Sequence, residues 1–517
     1  MTESSSRREF LRWSAGMSIM GAAAPMALQL TAAGTAAAAT APSDYKALVC
    51  LFMQGGQDGN NMVLATDSGS FARYTSARNT GVDPIALKAP GTPAVASDNK
   101  TTPDTWGGVI PIPLATPQPI PAGTVLGAGE TQRRFAVHPF LAPLAPKATP
   151  DGTSLWEQKR LAVLANVGML LNPLTKTQFV NKQAPIPPAL FSHNDQVSAW
   201  QAGAIDGAQT GWGGRLGDIL ASMNGGQSIF TAISASGNAV FVSGNVVNQY
   251  QISTDGQPAI TINGRSGTLL GSKTGGATLN SIIQNINGSS SFANDHATVV
   301  GRSITASSSL NAAFQSAAAQ AIPDRPTFFE PAQGFEDTNS WTIQLHTVAQ
   351  MIAAAPMLGL KRQVFFVNVN QHDTHDHQNI RESFNLSALA QALTWFDGVL
   401  ANIGGVDMRA NVTTFTAGDF SRGFATNGDG TDHAWGGHHL IMGGAVKGGD
   451  MYGQYPTLGI DLGSFNNPDM AGNNMIPTTS VDQYGATLGR WFGVGDADMH
   501  TIFPRLSNFA TPYLGFI

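Results

Sequence analysis

Cysteine is almost absent from this chain. Cys50 is the only one among 517 residues, so no intramolecular disulfide can form. Cys50 lies in an apolar run, where a thiol behaves as a small buried hydrophobe. Charge is also sparse: Asp, Glu, Lys and Arg make up 12% of the residues, with a formal net charge of -6. There is no basic run, which argues against nucleic acid as a partner. Beyond the N-terminus no apolar stretch approaches the ~20 residues of a membrane span. No Walker loop, dinucleotide fingerprint, CxxC pair or G-x-S-x-G elbow is found. Gly, Ser, Thr, Asn and Gln supply the polar surface in place of charge.

What is present begins at the N-terminus. Ser6-Arg7-Arg8-Glu9-Phe10-Leu11-Arg12 fits the bacterial twin-arginine export pattern. A weakly apolar stretch follows from Trp13 to Leu30, broken by Gly16, Gly21 and Pro25, and Ala37-Ala38-Ala39 suits small-residue cleavage. Residues 1–39 are therefore read as a signal peptide and 40–517 as a single large α/β domain. This predicts the twin-arginine export machinery as a partner, a periplasmic or secreted location, and no transmembrane anchor after cleavage. The twin-arginine route resembles one that carries folded cargo, which can load a metal before it crosses.

In the remainder, continuous apolar runs mark strands buried on both faces: Lys46–Met53, Arg160–Val167, Gln363–Val369, Asn411–Thr416 and Leu440–Val446. Leu386, Leu389, Leu393, Phe396 and Leu400 recur at helical spacing, and Ser340–Leu358 and Asp482–Phe492 also read as helices. Residues 83–130, rich in Pro, Thr and Gly, read as a surface excursion. Residues 225–321 read as an insertion, first β-rich and then partly helical. The alternation predicts a mainly parallel central sheet flanked by helices.

In such a sheet the C-terminal strand ends line the ligand crevice. Asp58, Asp373 and Asp419 each follow an apolar strand, and three carboxylates together call for a cation or protons. Six of the 11 histidines lie between His372 and His439. Asp373 with His375 or His377, and the Gly-rich segment ending in Asp432-His433, offer carboxylate and imidazole ligands. Such a set suits a divalent metal: Zn, Mn, Mg or Ca. Ser192, ahead of a predicted helix, is either an N-cap or a nucleophile beside such an ion. Arg422 and Lys447 are candidate cations for a substrate anion, or structural charges.

Several motifs together resemble one exported bacterial family, domain of unknown function 1501. They include Gly55-Gly56-Gln57-Asp58-Gly59, Val137-His138-Pro139, Ser192-His193 with Asp195-Gln196, Gly211-Trp212, and Asp373-Thr374-His375. Others are Asp419-Phe420-Ser421-Arg422, Leu488-Gly489-Arg490-Trp491-Phe492-Gly493 and the terminal Leu514-Gly515-Phe516. That family resembles the alkaline phosphatase and sulfatase superfamily in fold. The resemblance implies Ser192 as nucleophile, with Asp58, Asp373, His375, His377, Asp419 and His433 as metal ligands. Superfamily enzymes usually carry Asp-His where this chain has Asp419-Phe420. The function implied is metal-dependent hydrolysis of phosphate or sulfate esters. The alternative is a non-catalytic exported protein that binds a surface polymer, another anionic ligand or a co-exported partner.

Overall fold

A computed structural model describes residues 44–146, 154–204, 207–254, 268–269, 271–285, 290–330, 334–461 and 465–517. The export signal at 1–39 lies outside the described residues, as do parts of the 225–321 insertion. The central sheet contains β1 (Lys46–Met53), β2 (Leu161–Gly168), β3 (Ala232–Ser234), β4 (Tyr250–Gln251) and β5 (Arg362–Val369). It is completed by β6 (Val412–Gly418), β7 (Gly437–Met442), β8 (Met451–Tyr452) and β9 (Thr479–Ser480). The order is β8-β2-β7-β6-β1-β5-β3-β4, and β9 also pairs with β2. The segment read as a β-rich insertion thus contributes β3 and β4 to the sheet edge.

β1 is apolar at almost every position because both its faces are covered. Ala47, Val49, Leu51 and Met53 pack with Leu345, Val348 and Ile352 of α3 (Ser340–Leu358) and Leu386, Leu389 and Phe396 of α4 (Gln378–Leu400). Leu48, Cys50 and Phe52 face the other way. They meet Trp200 of α1 (His193–Ala202), Trp212 and Leu216 of α2 (Trp212–Leu220), and Tyr484 and Leu488 of α5 (Val481–Phe492). Truncating Leu51, which is fully buried, to alanine costs about 2–5 kcal/mol. Burial also pushes the Cys50 thiol well up, so it stays protonated and inert.

The sheet is mixed rather than mainly parallel. β1 pairs parallel with both β5 and β6, but β7 runs antiparallel to β6 and to β2. The reason lies in the connection. A parallel return needs a crossover, usually a helix. Between β6 and β7 the chain makes only a hairpin of two short strands, Ser421–Arg422 and His433–Ala434. The chain therefore re-enters antiparallel, and the hairpin is left standing over the strand ends.

Register fixes where those ends fall. Met53 lies opposite Val369 on one side and Gly418 on the other. The segments starting at Gln54, Asn370 and Asp419 consequently leave the sheet side by side. Among the described residues no helix is long and apolar enough to cross a membrane.

Candidate metal centre

Three elements meet above the ends of β1, β5 and β6. The loop after β5 brings Asp373 and His375, the hairpin after β6 brings His433, and the first residue of α1 brings His193. Ligand atoms of His193, Asp373 and His433 all lie within 4.8 Å of one another. Nε2 of His193 is 3.5 Å from Asp373 Oδ2, and Nε2 of His433 is 3.3 Å from Asp373 Oδ1. His375 joins from the solvent side, its Nε2 3.3 Å from Asp373 Oδ1 and 2.9 Å from His433 Nε2.

The outward ring nitrogens are held by oxygens. His193 Nδ1 lies 2.7 Å from Asp419 Oδ2, and His433 Nδ1 lies 2.8 Å from the Phe191 carbonyl. His375 Nδ1 is 3.4 Å from Asp432 Oδ1. A carbonyl only accepts, so His433 donates its Nδ1–H and keeps its Nε2 lone pair turned inward. Metal-binding imidazoles show this arrangement, one nitrogen tied to an oxygen and the other turned toward the ion.

Backbone geometry makes the approach possible. Gly55 has φ +110°, and a Cβ there would come within 2.4 Å of the Asp373 amide nitrogen. A Cβ on Gly430 would meet the His375 carbonyl oxygen at 2.4 Å, so the hairpin and the Asp373 loop are pressed together. The Gly55 N–H points at both oxygens of Asp419, 3.2 Å from each.

Charge is shared unevenly. The hydrogen bond to Asp419 raises the His193 pKa; burial opposes this in part, and the charges of Asp419 and Asp373 add to it. Burial lowers the pKa of His433 despite its bond to Phe191. Burial alone would raise Asp373, but the Arg422 charge and hydrogen bond outweigh it and hold the carboxyl below its usual range. Arg422 Nη1 is 2.7 Å from Asp373 Oδ1, and Nη2 donates to the Thr431 carbonyl. The Arg422 side chain is fully buried, so it neutralises Asp373 from beneath rather than facing a substrate.

The other sequence-expected ligands stand apart from this convergence. Asp419 is one step back, orienting His193. Asp58 is held by Arg78, with Nη1 2.5 Å from Oδ2 and Nη2 3.1 Å from Oδ1. Its negative charge is met by a guanidinium, and its side chain is 1% exposed. His377 turns to solvent with φ +48°, its Nδ1 3.7 Å from Asp376 and 4.0 Å from Asp429. Ser192 is the N-cap of α1 and makes no capping hydrogen bond with its side chain. His372, His438 and His439 are buried, and burial pushes each down to about 3, so they are neutral packing residues.

His193 was visible in the sequence only as the neighbour of Ser192; its place as first residue of a helix was the available signal. Phe420 packs its ring against His193 and His433, with centroids 4.8 and 4.4 Å apart, and walls one side of the centre.

No curated protein matches this chain. A family model described as "Protein of unknown function (DUF1501)" matches residues 45–503. That match takes in both faces of the sheet and every residue of the centre, and the chain belongs to the DUF1501 family.

Proposed function

We propose that this protein, after export, holds one divalent cation and hydrolyses phosphate or sulfate esters. The observation that carries the reading is the convergence of His193, Asp373 and His433 with oxygens fixing the Nδ1 atoms of both imidazoles. An imidazole-rich set with one carboxylate suits zinc best. Such an ion supplies positive charge to an ester oxyanion at neutral pH.

The chain's own residues divide the remaining work. Asp419 fixes the His193 ring, and the Phe191 carbonyl fixes His433. Phe420 excludes water from one side. Ser192 is the nucleophile of this reading. Its hydroxyl is free of capping duty, and its neighbours on either side are both anchored to the centre. Its Oγ would bond to phosphorus or sulfur and give up its proton to solvent, as the ester oxygen leaves with a proton from solvent. Water then hydrolyses the seryl ester.

One observation favours a second reading. His375 borders the three converging side chains, its Nε2 2.9 Å from His433 Nε2 and 3.3 Å from Asp373 Oδ1, and a fourth protein ligand would give the closed pattern of structural zinc sites. The protein would then be a non-catalytic exported binder whose ion holds the loops together.

Elemental analysis of purified protein, paired with hydrolysis of p-nitrophenyl phosphate and sulfate, tests both. The expected result is one zinc per chain and ester turnover, with Asp373→Ala and His433→Ala losing both. Zinc without turnover on any ester supports the second reading. A wild-type protein with no metal affinity overturns both.

A further inference from the structure

The side chain of Gln378, at the start of α4, is fully buried, and both ends of its amide are occupied. Nε2 donates to Asp58 Oδ2 at 2.6 Å and to Glu382 Oε2 at 3.2 Å. Oε1 accepts from Thr431 Oγ1 at 2.7 Å and from Thr374 Oγ1 at 3.3 Å. Two donors and two acceptor lone pairs are the full capacity of a glutamine amide. Its orientation is forced, because a flipped amide would turn its oxygen onto two carboxyl groups.

The two threonines are neighbours of the metal centre. Thr374 sits between Asp373 and His375. Thr431 is two residues before His433, and its carbonyl receives Arg422, the cation on Asp373. The two segments are also tied directly, Thr431 N–H to Thr374 carbonyl at 3.0 Å. On the far side the anchor is rigid. Arg78 clamps Asp58 and also donates to the Gly423 and Phe424 carbonyls, each at 2.7 Å, beside Arg422. Glu382 is held by the Gln57 and Asn61 amides at 3.0 and 2.9 Å.

We infer that Gln378 is the positioning residue of the centre, setting the gap between the Asp373–His375 loop and the His433 hairpin through the hydroxyls of Thr374 and Thr431. The inference rests on the metal reading for its functional consequence, and on hydrogen bonds alone for its structural one. Gln378 touches none of the atoms that would hold the ion. Its effect passes through two hydroxyls, each adjacent in sequence or by hydrogen bond to a ligand-bearing segment.

The test uses the full chain and cobalt(II) as the probe ion. Gln378→Ala is the direct variant, but removing a residue with four buried bonds threatens folding. Thr431→Val and Thr431→Ser are the deciding pair, since valine copies threonine's shape without the hydroxyl and serine keeps it. Thr431→Val is expected to weaken cobalt binding at least tenfold and alter the visible absorption of bound cobalt. Thr431→Ser should stay within twofold of wild type with an unchanged spectrum. Equal cobalt affinity and spectra in the two variants overturn the inference. If wild type binds no cobalt, the metal reading fails, and hydrogen exchange of residues 370–380 and 425–434 decides this inference instead. Faster exchange in Thr431→Val alone supports it, and identical exchange in the two variants overturns it.

Discussion

His193 Nδ1 and Asp419 Oδ2 lie 2.7 Å apart, and the Asp419 side chain has no solvent exposure. An imidazole paired with a buried carboxylate becomes a stronger base at its other nitrogen, the one that faces Asp373. Asp419→Asn keeps the shape and removes the charge. Zinc affinity, measured by competition with a chromophoric chelator, is expected to fall roughly 10–100-fold. Unchanged affinity in a folded variant would show that Asp419 serves packing only.

Arg78 and Asp58 form a separate, fully buried pair. Removing one member leaves an uncompensated charge, which costs about 3–5 kcal/mol. Arg78→Met should lose that much in urea unfolding, because Asp58 and Glu382 then share a site without a cation. Asp58→Asn should keep the metal stoichiometry of wild type. Loss of the ion in a folded Asp58→Asn would show that Asp58 supports the centre, as a ligand or through its bond to Gln378.

Glu382 gives a pH signature. Burial, then the nearby Asp58 charge, push its carboxyl up to about 8 from an ordinary value of 4.5. Arg78 and Tyr74 are the other ionisable groups facing it. A raised acid binds its proton more tightly in the folded chain. The stability it contributes is complete below pH 4.5 and is lost as pH rises through about 8. Glu382→Gln cannot ionise, so its melting temperature should gain on wild type by roughly 2 °C or more as the pH is raised across that window. Parallel curves for the two proteins would contradict this.

Gly55→Ala tests the close approach of β1 to the Asp373 loop. Its φ of +110° and the 2.4 Å gap to the Asp373 nitrogen leave no room for a methyl group. The expected loss is about 2 kcal/mol or more, read by thermal unfolding, together with weaker metal binding. A neutral outcome on both would mean that the Asp373 loop is free to shift.

The main elements were legible because their signals are local. β1, β5 and β6 are apolar runs each followed within four residues by Gly or Asp, and α3 spans the residues its apolar content suggested. The direction of β7 was not legible, since a doubly buried strand reads the same either way. Its opening Gly437-His438-His439 also looked like loop, although those residues are buried in the strand. Asp373, His375 and His433 stood out by residue type. What the pattern could not say was which cation each acid would meet. Arg78, on a short helix with nothing to mark it, claims Asp58. Gln378 and Glu382 form an i, i+4 pair among several buried polar residues of α4, Asn379, Ser383 and Asn385 with them, so the pair stands out only once its partners are known.

The groups around Asp373 come from distant parts of the chain. His193 and Asp419 are 226 residues apart, and His375 and His433 are 58 apart. An ion held between them is a clasp closing very long loops, and the unfolded chain has no comparable site to offer it. Whatever chemistry it performs, such an ion adds RT ln(1 + [metal]/Kd) to the stability of the native state. A chelator would then act on this protein as a mild denaturant, and the strength of its effect would report the affinity of the centre without any substrate.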